Sequence, residues 1–253
     1  MKYDVQFCEV LRRAQTAENT FDYTVLAPKL AEVAQPGQFA HIYVPGKTLR
    51  RPISICDIDK KNGTLRFVFQ IRGAGTEQLS KFEVGDKMDI LAPLGHGFTF
   101  DPNAHNLFIG GGIGVPPMLE LAKELDCEKT IVLGYRDELF LNKEFEQYGK
   151  VVIATEDGSC GTKGNVLDAI RAESVDGQVI YSCGPTPMLR ALKQYAADKG
   201  IEAWISLEEK MACGIGACLA CVCKSKDVDH HTNVHNKRIC KDGPVFNAQE
   251  VEL

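Results

Sequence analysis

A run of closely spaced cysteines constrains this chain more than any other feature. Cys213, Cys218 and Cys221 form a C-x4-C-x2-C pattern among small residues, and Cys240 follows at a distance. This is the ligand spacing of a plant-type 2Fe-2S cluster, and the glycines between the cysteines allow the backbone to wrap a cluster closely. A zinc site is the main alternative, although structural zinc more often uses two C-x2-C pairs. The sequence therefore predicts an iron–sulfur site with these four cysteines as ligands.

Other candidate ligands near this run are assigned different roles. In an extended strand Cys223 would face the same side as Cys221, but using it as the third ligand would change the final x2 interval to x4. We predict that Cys223 is a small buried apolar residue. His230, His231 and His235 lie in a polar stretch, which favours a solvated loop over a metal site.

Composition limits the class of protein. The chain has 253 residues, a net charge of -5 and 44% hydrophobic residues. The negative charge argues against binding to a nucleic-acid backbone. Charges interrupt the first stretch and no run of about 18 apolar residues occurs, so neither a signal peptide nor a membrane span is expected. The remaining cysteines show no pairing pattern, which favours the reducing cytoplasm.

The first part of the chain, residues 1–99, predicts an all-β domain. Short apolar runs are separated by turn-forming pairs such as Pro36-Gly37 and Asn62-Gly63. Six strands with few helical intervals are typical of a small antiparallel barrel. The predicted strands are Val5–Val10, Phe21–Leu26, Phe39–Val44, Ile53–Ile58, Leu65–Ile71 and Met88–Leu91.

The pattern changes in residues 100–206, where strand-like apolar runs alternate with segments of helix length. This alternation predicts a parallel sheet covered by helices. Residues 207–253 are left as a small cluster-binding domain, too short to bury much apolar surface alone. The predicted fold is thus multidomain, with an antiparallel six-stranded barrel, a parallel-sheet α/β domain and a small 2Fe-2S domain.

Two turns after predicted parallel strands carry nucleotide-binding chemistry. The GGGIG loop follows the first of these strands, and consecutive glycines let the backbone approach a pyrophosphate at a helix N-terminus. A Cys-Gly-Pro turn follows the fourth, and two strand ends of an open sheet can flank one crevice. The loop does not match G-x-G-x-x-G, so it could alone be a tight turn, whereas the pair is more specific. We predict an NAD site at Gly110, Gly111, Gly112, Ile113, Gly114, Cys183, Gly184 and Pro185.

The segment after the second parallel strand bears on the choice of nicotinamide cofactor. Arg136 could attract a 2′-phosphate there, but Asp137 and Glu138 would oppose it. NAD is therefore predicted over NADP.

A third motif lies in the predicted barrel. Arg51-Pro52-Ile53-Ser54 offers a guanidinium for a phosphate and a hydroxyl for a ring nitrogen, and Gly73-Ala74-Gly75-Thr76 follows it. Alone, these motifs could be a strand-edge turn and a flexible loop. Nicotinamide transfers two electrons as hydride and a 2Fe-2S cluster transfers one, so a flavin is needed between them. The barrel is therefore predicted to bind a flavin nucleotide.

These motifs together resemble the ferredoxin-reductase superfamily, with its R-P-x-S segment, G-G-G-I-G loop and C-G-P-x-P-M turn. Over almost the whole length the chain resembles, more closely, the electron transfer subunits of type B dihydroorotate dehydrogenase. The resemblance implies hydride transfer near Ser54 and Cys183. That family usually has Tyr-Arg where this chain has Phe69-Gln70. The resemblance places FAD on Arg51, Pro52, Ile53, Ser54, Val68, Phe69, Gln70, Gly75 and Thr76.

The resemblance also implies a partner chain. In that family an FMN-containing catalytic subunit oxidises dihydroorotate to orotate, and electrons pass through the 2Fe-2S cluster and FAD to NAD in pyrimidine (UMP) biosynthesis. Two copies of each chain are expected, with the cluster segment at the junction and no nucleic-acid or membrane partner. Two alternatives remain, namely a reductase component that delivers NAD(P)H electrons to a ferredoxin or other redox partner, and a redox-sensing regulatory protein.

Overall fold

The computed structural model describes residues 3–229 and 233–253. The predicted solvated loop therefore lies partly outside the described residues, because His230 and His231 are not among them. No helix within the described ranges is long and apolar enough to cross a bilayer.

Six antiparallel strands close the N-terminal part into a barrel, as the sequence predicted, with the spatial order β1-β2-β5-β4-β3-β6. Alternating residues point inward, so that Leu65 and Phe67 of one strand are buried beside Tyr23, Met88 and Ile90. Two short helices connect strands. The elements are β1 (Asp4–Ala17), β2 (Thr20–Leu26), α1 (Pro28–Val33), β3 (Phe39–Ile42), β4 (Arg51–Asp59), β5 (Thr64–Gln70), α2 (Ala74–Leu79) and β6 (Lys87–Leu94).

The middle of the chain forms the predicted parallel sheet with helices. Their bounds are β7 (Asn106–Gly111), α3 (Val115–Glu124), β8 (Lys129–Tyr135), α4 (Asn142–Phe145), β9 (Lys150–Thr155), β10 (Thr162–Lys163), α5 (Val166–Ala172), β11 (Val179–Cys183), α6 (Thr186–Lys199) and β12 (Glu202–Ser206). The sheet order runs β10-β9-β8-β7-β11-β12 before a last strand from the cluster segment. The chain reverses its direction of winding between β7 and β11, and ligands of such sheets bind outside the strand ends at this point.

The C-terminal segment packs on the same sheet and does not form a separate body. Its elements are β13 (Val222–Asp229), β14 (Val234–Arg238), α7 (Ile239–Asp242) and β15 (Val245–Asn247). The last of these strands lies antiparallel to β12 and becomes the seventh strand of the sheet. Cys221, Ile239 and Phe246 share one apolar core with residues below the sheet. The fold of this segment therefore depends on the α/β domain.

The barrel and the α/β domain are joined by apolar and ionic contacts. Helix α3 packs on β4, and Cys56 and Val68 of the barrel share a core with Met118. Arg66 of the barrel binds Glu144 with Nη1 to Oε2 at 2.6 Å. Such contacts hold the ends of β7 and β11 over the barrel, where the site lies.

Candidate functional site

Three of the predicted cluster ligands lie in one loop, and the fourth, Cys240, lies in the short helix α7 that faces it. Cys213 and Cys218 form one pair, with 3.3 Å between their Sγ atoms. Cys221 and Cys240 are buried and form a second pair, in which the backbone N–H of Cys240 donates to Cys221 Sγ over 3.4 Å. The structure thus brings the four cysteines together as two sulfur pairs.

Backbone N–H groups point at these sulfurs, as an anionic cluster requires. Gly216 N–H donates to Cys240 Sγ over 3.1 Å, and Cys218 N–H donates to Cys213 Sγ over 3.4 Å. Burial raises the pKa of Cys213, but the N–H groups of Ile215 and Cys218 outweigh it and lower the pKa to about 7. Such donors favour the thiolate, which is the form that binds iron.

In the second pair one sulfur donates to the other. The hydrogen bond from Cys240 lowers the pKa of Cys221 to about 6, and the same bond together with burial raises the pKa of Cys240. Within the described residues no three His, Cys, Asp or Glu side chains converge on a point that would suit a single metal ion. An arrangement in pairs fits a two-iron cluster better than one tetrahedral zinc ion.

Two glycines allow the loop to close around the cysteines. Gly214 has φ +73° and Gly216 has φ +81°, a region that favours glycine. A Cβ on Gly214 would lie 2.6 Å from His41 Nδ1, and one on Gly216 would lie 2.5 Å from the Lys241 side chain. Larger residues at these two positions would push the loop away from its neighbours.

A cavity of about 760 Å³ is lined by all three parts of the chain, and the cluster segment contributes Val222, Cys223 and Ile239, close in sequence to Cys221 and Cys240. Cys223 lies on its wall and not among the sulfur pairs, and burial raises the pKa of Cys223 to about 11. The predicted residues that line the cavity are Pro52, Ile53, Phe69, Gln70 and Thr76 from the barrel and Gly111, Ile113, Gly114, Cys183, Gly184 and Pro185 from the α/β domain.

Four predicted flavin residues do not line this cavity. Arg51 lies over Gly75, where a Cβ would overlap its guanidinium, so the structure does bring these two motifs together. Val68 is buried against the α/β domain. Ser54 is half-buried and pairs with Phe39 across the strand ladder. Their predicted contacts with a flavin stay predictions.

A second cavity of about 820 Å³ adjoins the first. Gln70, Arg72, Gly111, Ile113 and Pro185 line both, so the two spaces meet at the ends of β7 and β11. The second cavity also contains Gly112 and the segment 134–138 with its acidic pair. Of the predicted NAD residues, only Gly110 lines neither cavity.

The close packing of the two predicted nucleotide turns is visible in their register. Gly110 pairs with Cys183 across the parallel ladder. A Cβ on Gly114 would overlap the Cys183 carbonyl, and one on Gly111 would overlap Met188 Sδ. Small residues are therefore required where the turns meet. Burial raises the pKa of Cys183 to about 12, so this thiol stays protonated at neutral pH.

Sequence reasoning missed two polar residues of the first cavity and one buried histidine outside both cavities. Glu208 and Arg72 line the first cavity; Glu208 is exposed at its mouth, where the surrounding walls desolvate it in part and raise its pKa, with Arg72 opposing this shift. An acidic residue just after the last parallel strand was the available signal for Glu208. His41 lies beneath the cysteine loop, and burial lowers its pKa to about 4 against a smaller opposite effect of the Arg50 and Cys213 carbonyls.

Comparison with known proteins gives consistent matches. Residues 208–252 match a family model described as the iron–sulfur cluster binding domain of dihydroorotate dehydrogenase B. A relative from Geobacillus kaustophilus, named dihydroorotate dehydrogenase B (NAD(+)), electron transfer subunit, is 42% identical over 248 residues, with 94% of each chain covered. A relative with the same name from Fusobacterium nucleatum is 39% identical over 264 residues and covers 98% of this chain and 99% of its own.

Solved structures show the same fold. One, described as an NADH-dependent reduced ferredoxin-NADP oxidoreductase in a study of flavin-based electron bifurcation, superposes with a TM-score of 0.87 at 31% identity. It covers 98% of this chain and 90% of its own chain. A ferredoxin reductase of carbazole 1,9a-dioxygenase has a TM-score of 0.66 at 19% identity, covering 79% of this chain and 67% of its own, and shares the fold alone.

Proposed function

Because this chain belongs to the family of dihydroorotate dehydrogenase B (NAD(+)) electron transfer subunits, we propose that it carries electrons from an FMN-bearing catalytic subunit to NAD through a 2Fe-2S cluster and FAD. This is the dihydroorotate-oxidising step of pyrimidine (UMP) biosynthesis. One observation carries the proposal: a single cavity is lined by the barrel, the nucleotide turns and the cysteine segment. A hydride carrier, a flavin and a one-electron centre need such a meeting point.

The barrel residues of this site hold FAD. Arg51 presents its guanidinium beside Gly75, where a phosphate can be bound, and Thr76 is in the same turn. Phe69 stacks on Tyr23 with ring centroids 5.6 Å apart, which fixes its position on the cavity wall. The flavin exchanges hydride and single electrons when bound. Phe69 and Gln70 replace the family's usual pair and serve through position and backbone.

The nucleotide turns bind NAD in the adjoining cavity. Gly111 and Gly114 let the turns after β7 and β11 pack closely side by side, and Gly111, Ile113 and Pro185 lie where the two cavities meet. Cys183 and Glu208 lie on the wall of the flavin cavity. Their role is to orient the nicotinamide, whereas the Ser54 hydroxyl serves the flavin ring from the barrel side.

The cysteine pairs ligate the cluster, and the surface around them binds the catalytic partner. Ile215 and Leu219 of the cysteine loop are 39% and 53% exposed. Phe7 on β1 is 72% exposed and Tyr43 is 41% exposed. Phe7 of β1 pairs with Asp89 of β6, and the Asp89 carbonyl accepts a hydrogen bond from the Tyr43 N–H. Because side chains alternate along a strand, Phe7 and Tyr43 point to the outside of the barrel. His41 lies on the same outer face, where the cysteine loop covers it. A patch of this kind indicates a protein interface.

We extend the proposal to organisation and location. The chain divides into a flavin domain (1–99), a nucleotide domain (100–206) and a cluster domain (207–253), the last supported by the sheet it completes. Two copies of each subunit assemble. None of the ten cysteines, all of them within the described residues, forms a disulfide, which suits the cytoplasm.

The proposal is tested with the isolated chain and a purified catalytic partner. Alone, the chain should reduce artificial dyes with NADH and should not oxidise dihydroorotate, and the partner should add dihydroorotate-dependent NAD reduction. In the Cys218→Ser variant dye reduction should remain while the coupled reaction is lost. Cys160→Ser, a half-buried cysteine outside both cavities, is the matched control. Dihydroorotate oxidation by the chain alone would refute the relay.

A second function is favoured by the bifurcating oxidoreductase, which is 31% identical and superposes over 98% of this chain. In that case the chain would exchange electrons with a ferredoxin or another flavoprotein. The same assay separates the two functions, because turnover of NADH with ferredoxin and no coupling to a dihydroorotate-oxidising subunit would favour the reductase component.

A further inference from the structure

His41 is a buried polar residue between the barrel and the cysteine loop. It lies on β3 with a relative exposure of 0%. Neither Nδ1 nor Nε2 has a hydrogen-bond partner within the part of the chain that the structure describes. A buried imidazole without a partner is unfavourable, because at least its N–H has lost water without replacement. The ring is therefore placed to make a bond that closing of the loop would complete.

Two backbone carbonyls are candidates for that bond. The ring lies close enough to the backbone carbonyls of Arg50 and Cys213 for both to act on it. A Cβ built on Gly214 would meet Nδ1 at 2.6 Å, nearer than the other ring atoms, so the Nδ1 edge faces the cysteine loop. A neutral imidazole has a single N–H and can donate to only one carbonyl at a time. The carbonyl of Cys213 is the one that belongs to the loop.

The position of His41 in the barrel gives this contact a wider consequence. His41 pairs with Pro52 across the β3–β4 ladder, and Pro52 lines the flavin cavity. It also pairs with Leu91 of β6, which packs against the core that contains Cys221 and Cys240. One rigid strand therefore connects the predicted first ligand of the cluster to the wall of the flavin cavity.

We propose that His41 is a positioning residue for the cluster, whose Nδ1–H donates to the Cys213 carbonyl and fastens the ligand loop to the flavin barrel. The inference rests on the proposed cluster site and goes beyond its ligands. The bond holds Cys213 in the orientation that the cluster needs and keeps the loop closed. Its loss lets the loop open, so iron leaves more easily, while FAD and its site are unaffected.

The test measures iron release from the cluster-loaded chain to a ferrous chelator, together with FAD content, NADH-driven dye reduction and the EPR spectrum of the reduced cluster. In His41→Leu, release should be about three- to tenfold faster, the factor supplied by one net hydrogen bond. FAD content and dye reduction should equal those of the parent. His41→Asn places an amide N–H near the Nδ1 position and should restore the parent rate and spectrum.

The matched control is His105→Leu, a histidine that contacts Thr130 in the α/β domain and should leave iron release unchanged. If His41→Leu does not give a folded flavoprotein, His41→Val, a strand-forming residue, takes its place. Parent-like release and spectrum in the apolar variant would overturn the proposal. So would a His41→Asn variant that releases iron as fast as the apolar one. Absence of a cluster from the parent itself would instead overturn the proposed function.

Discussion

Replacing Glu120 by glutamine should remove a distinct part of the pH dependence of stability. Glu120 is fully buried on α3, and its Oε2 accepts from Ile58 N–H over 2.7 Å and from Lys123 over 2.9 Å. Oε1 has no hydrogen-bond partner among residues 3–229 and 233–253. Burial raises the pKa of Glu120 to about 7, although Lys123 opposes the shift and Asp57 adds to it only weakly.

The direction of the pH dependence follows from the number of protons that the native and unfolded states bind. Between the ordinary carboxyl pKa of 4.5 and the folded value of about 7, the native state holds this proton and the unfolded state does not. The free energy of unfolding therefore falls as the pH rises through this window and is level above it, a total loss of roughly 3 kcal/mol. Between pH 6 and pH 8 the loss is about 1.3 kcal/mol, which lowers Tm by roughly 3–5 °C in a chain of this size.

Thermal unfolding of the FAD-loaded chain at pH 6 and pH 8 measures the effect. The parent should lose about 3–5 °C more between these pH values than Glu120→Gln, which has no carboxyl to titrate. Glu124→Gln, an exposed neighbour on the same helix, should behave as the parent. The absolute Tm of the glutamine variant decides nothing, because its amide gains an unpaired N–H group. Equal pH slopes in the parent and Glu120→Gln would refute the argument.

Four further outcomes are expected. Cys223→Ser should keep the visible and EPR signals of the cluster, whereas Cys221→Ser should abolish them; the reverse result would change the ligand assignment. Gly114→Ala should raise the KM for NADH at least about tenfold with FAD retained, since its methyl group displaces the turn at β11; an unchanged KM would remove the turn from the NAD site. Glu208→Gln should slow NADH-driven dye reduction by about tenfold, the value of one hydrogen bond to a charged group, while Glu173→Gln, at an exposed position outside both cavities, should not; a parent-like rate in Glu208→Gln would exclude a role for Glu208. NADPH should be a far poorer donor than NADH in the same assay, because of the acidic pair after β8, and comparable turnover would contradict this.

The strands of the barrel were predictable because each combines apolar alternation with clear turns. Their ends were less predictable: β1 was expected to end at Val10 and continues to Ala17, and β6 was expected to end at Leu91 and continues to Leu94. Strand β1 pairs first with β6 and then with β2, with one register shift just after the change of partner, between Val10 and Arg12, and a second near its end. Arg12 and Arg13 obscure the pattern, but Arg12 forms an ion pair with Asp22, and Arg13 pairs with Glu83 and donates to the carbonyl of Ser80. These contacts join residues that are distant in sequence, so no local sequence pattern reveals them.

Site residues were predictable where the local backbone conformation requires a particular residue type. They were not predictable where contacts between distant parts of the chain determine the structure. The glycine loop, the Cys-Gly-Pro turn and the cysteine spacing are local, and the structure brings each to the meeting point of the domains. The segment after Gly73 was interpreted as a possible loop, yet Ala74–Leu79 is helical. Strand Val245–Asn247 was also missed, because three residues acquire strand geometry only by pairing with β12.

Strand β15 determines how the chain can be truncated. Without residues beyond 206, the backbone N–H and C=O groups of β12 along Trp204–Ser206 would be an open sheet edge. Open edges recruit strands from other molecules, so a shortened chain is expected to self-associate and precipitate. Its inactivity would then reflect aggregation and not missing electron transfer. Cluster-free protein should accordingly be prepared by cysteine-to-serine exchange in the full-length polypeptide, which leaves this edge capped.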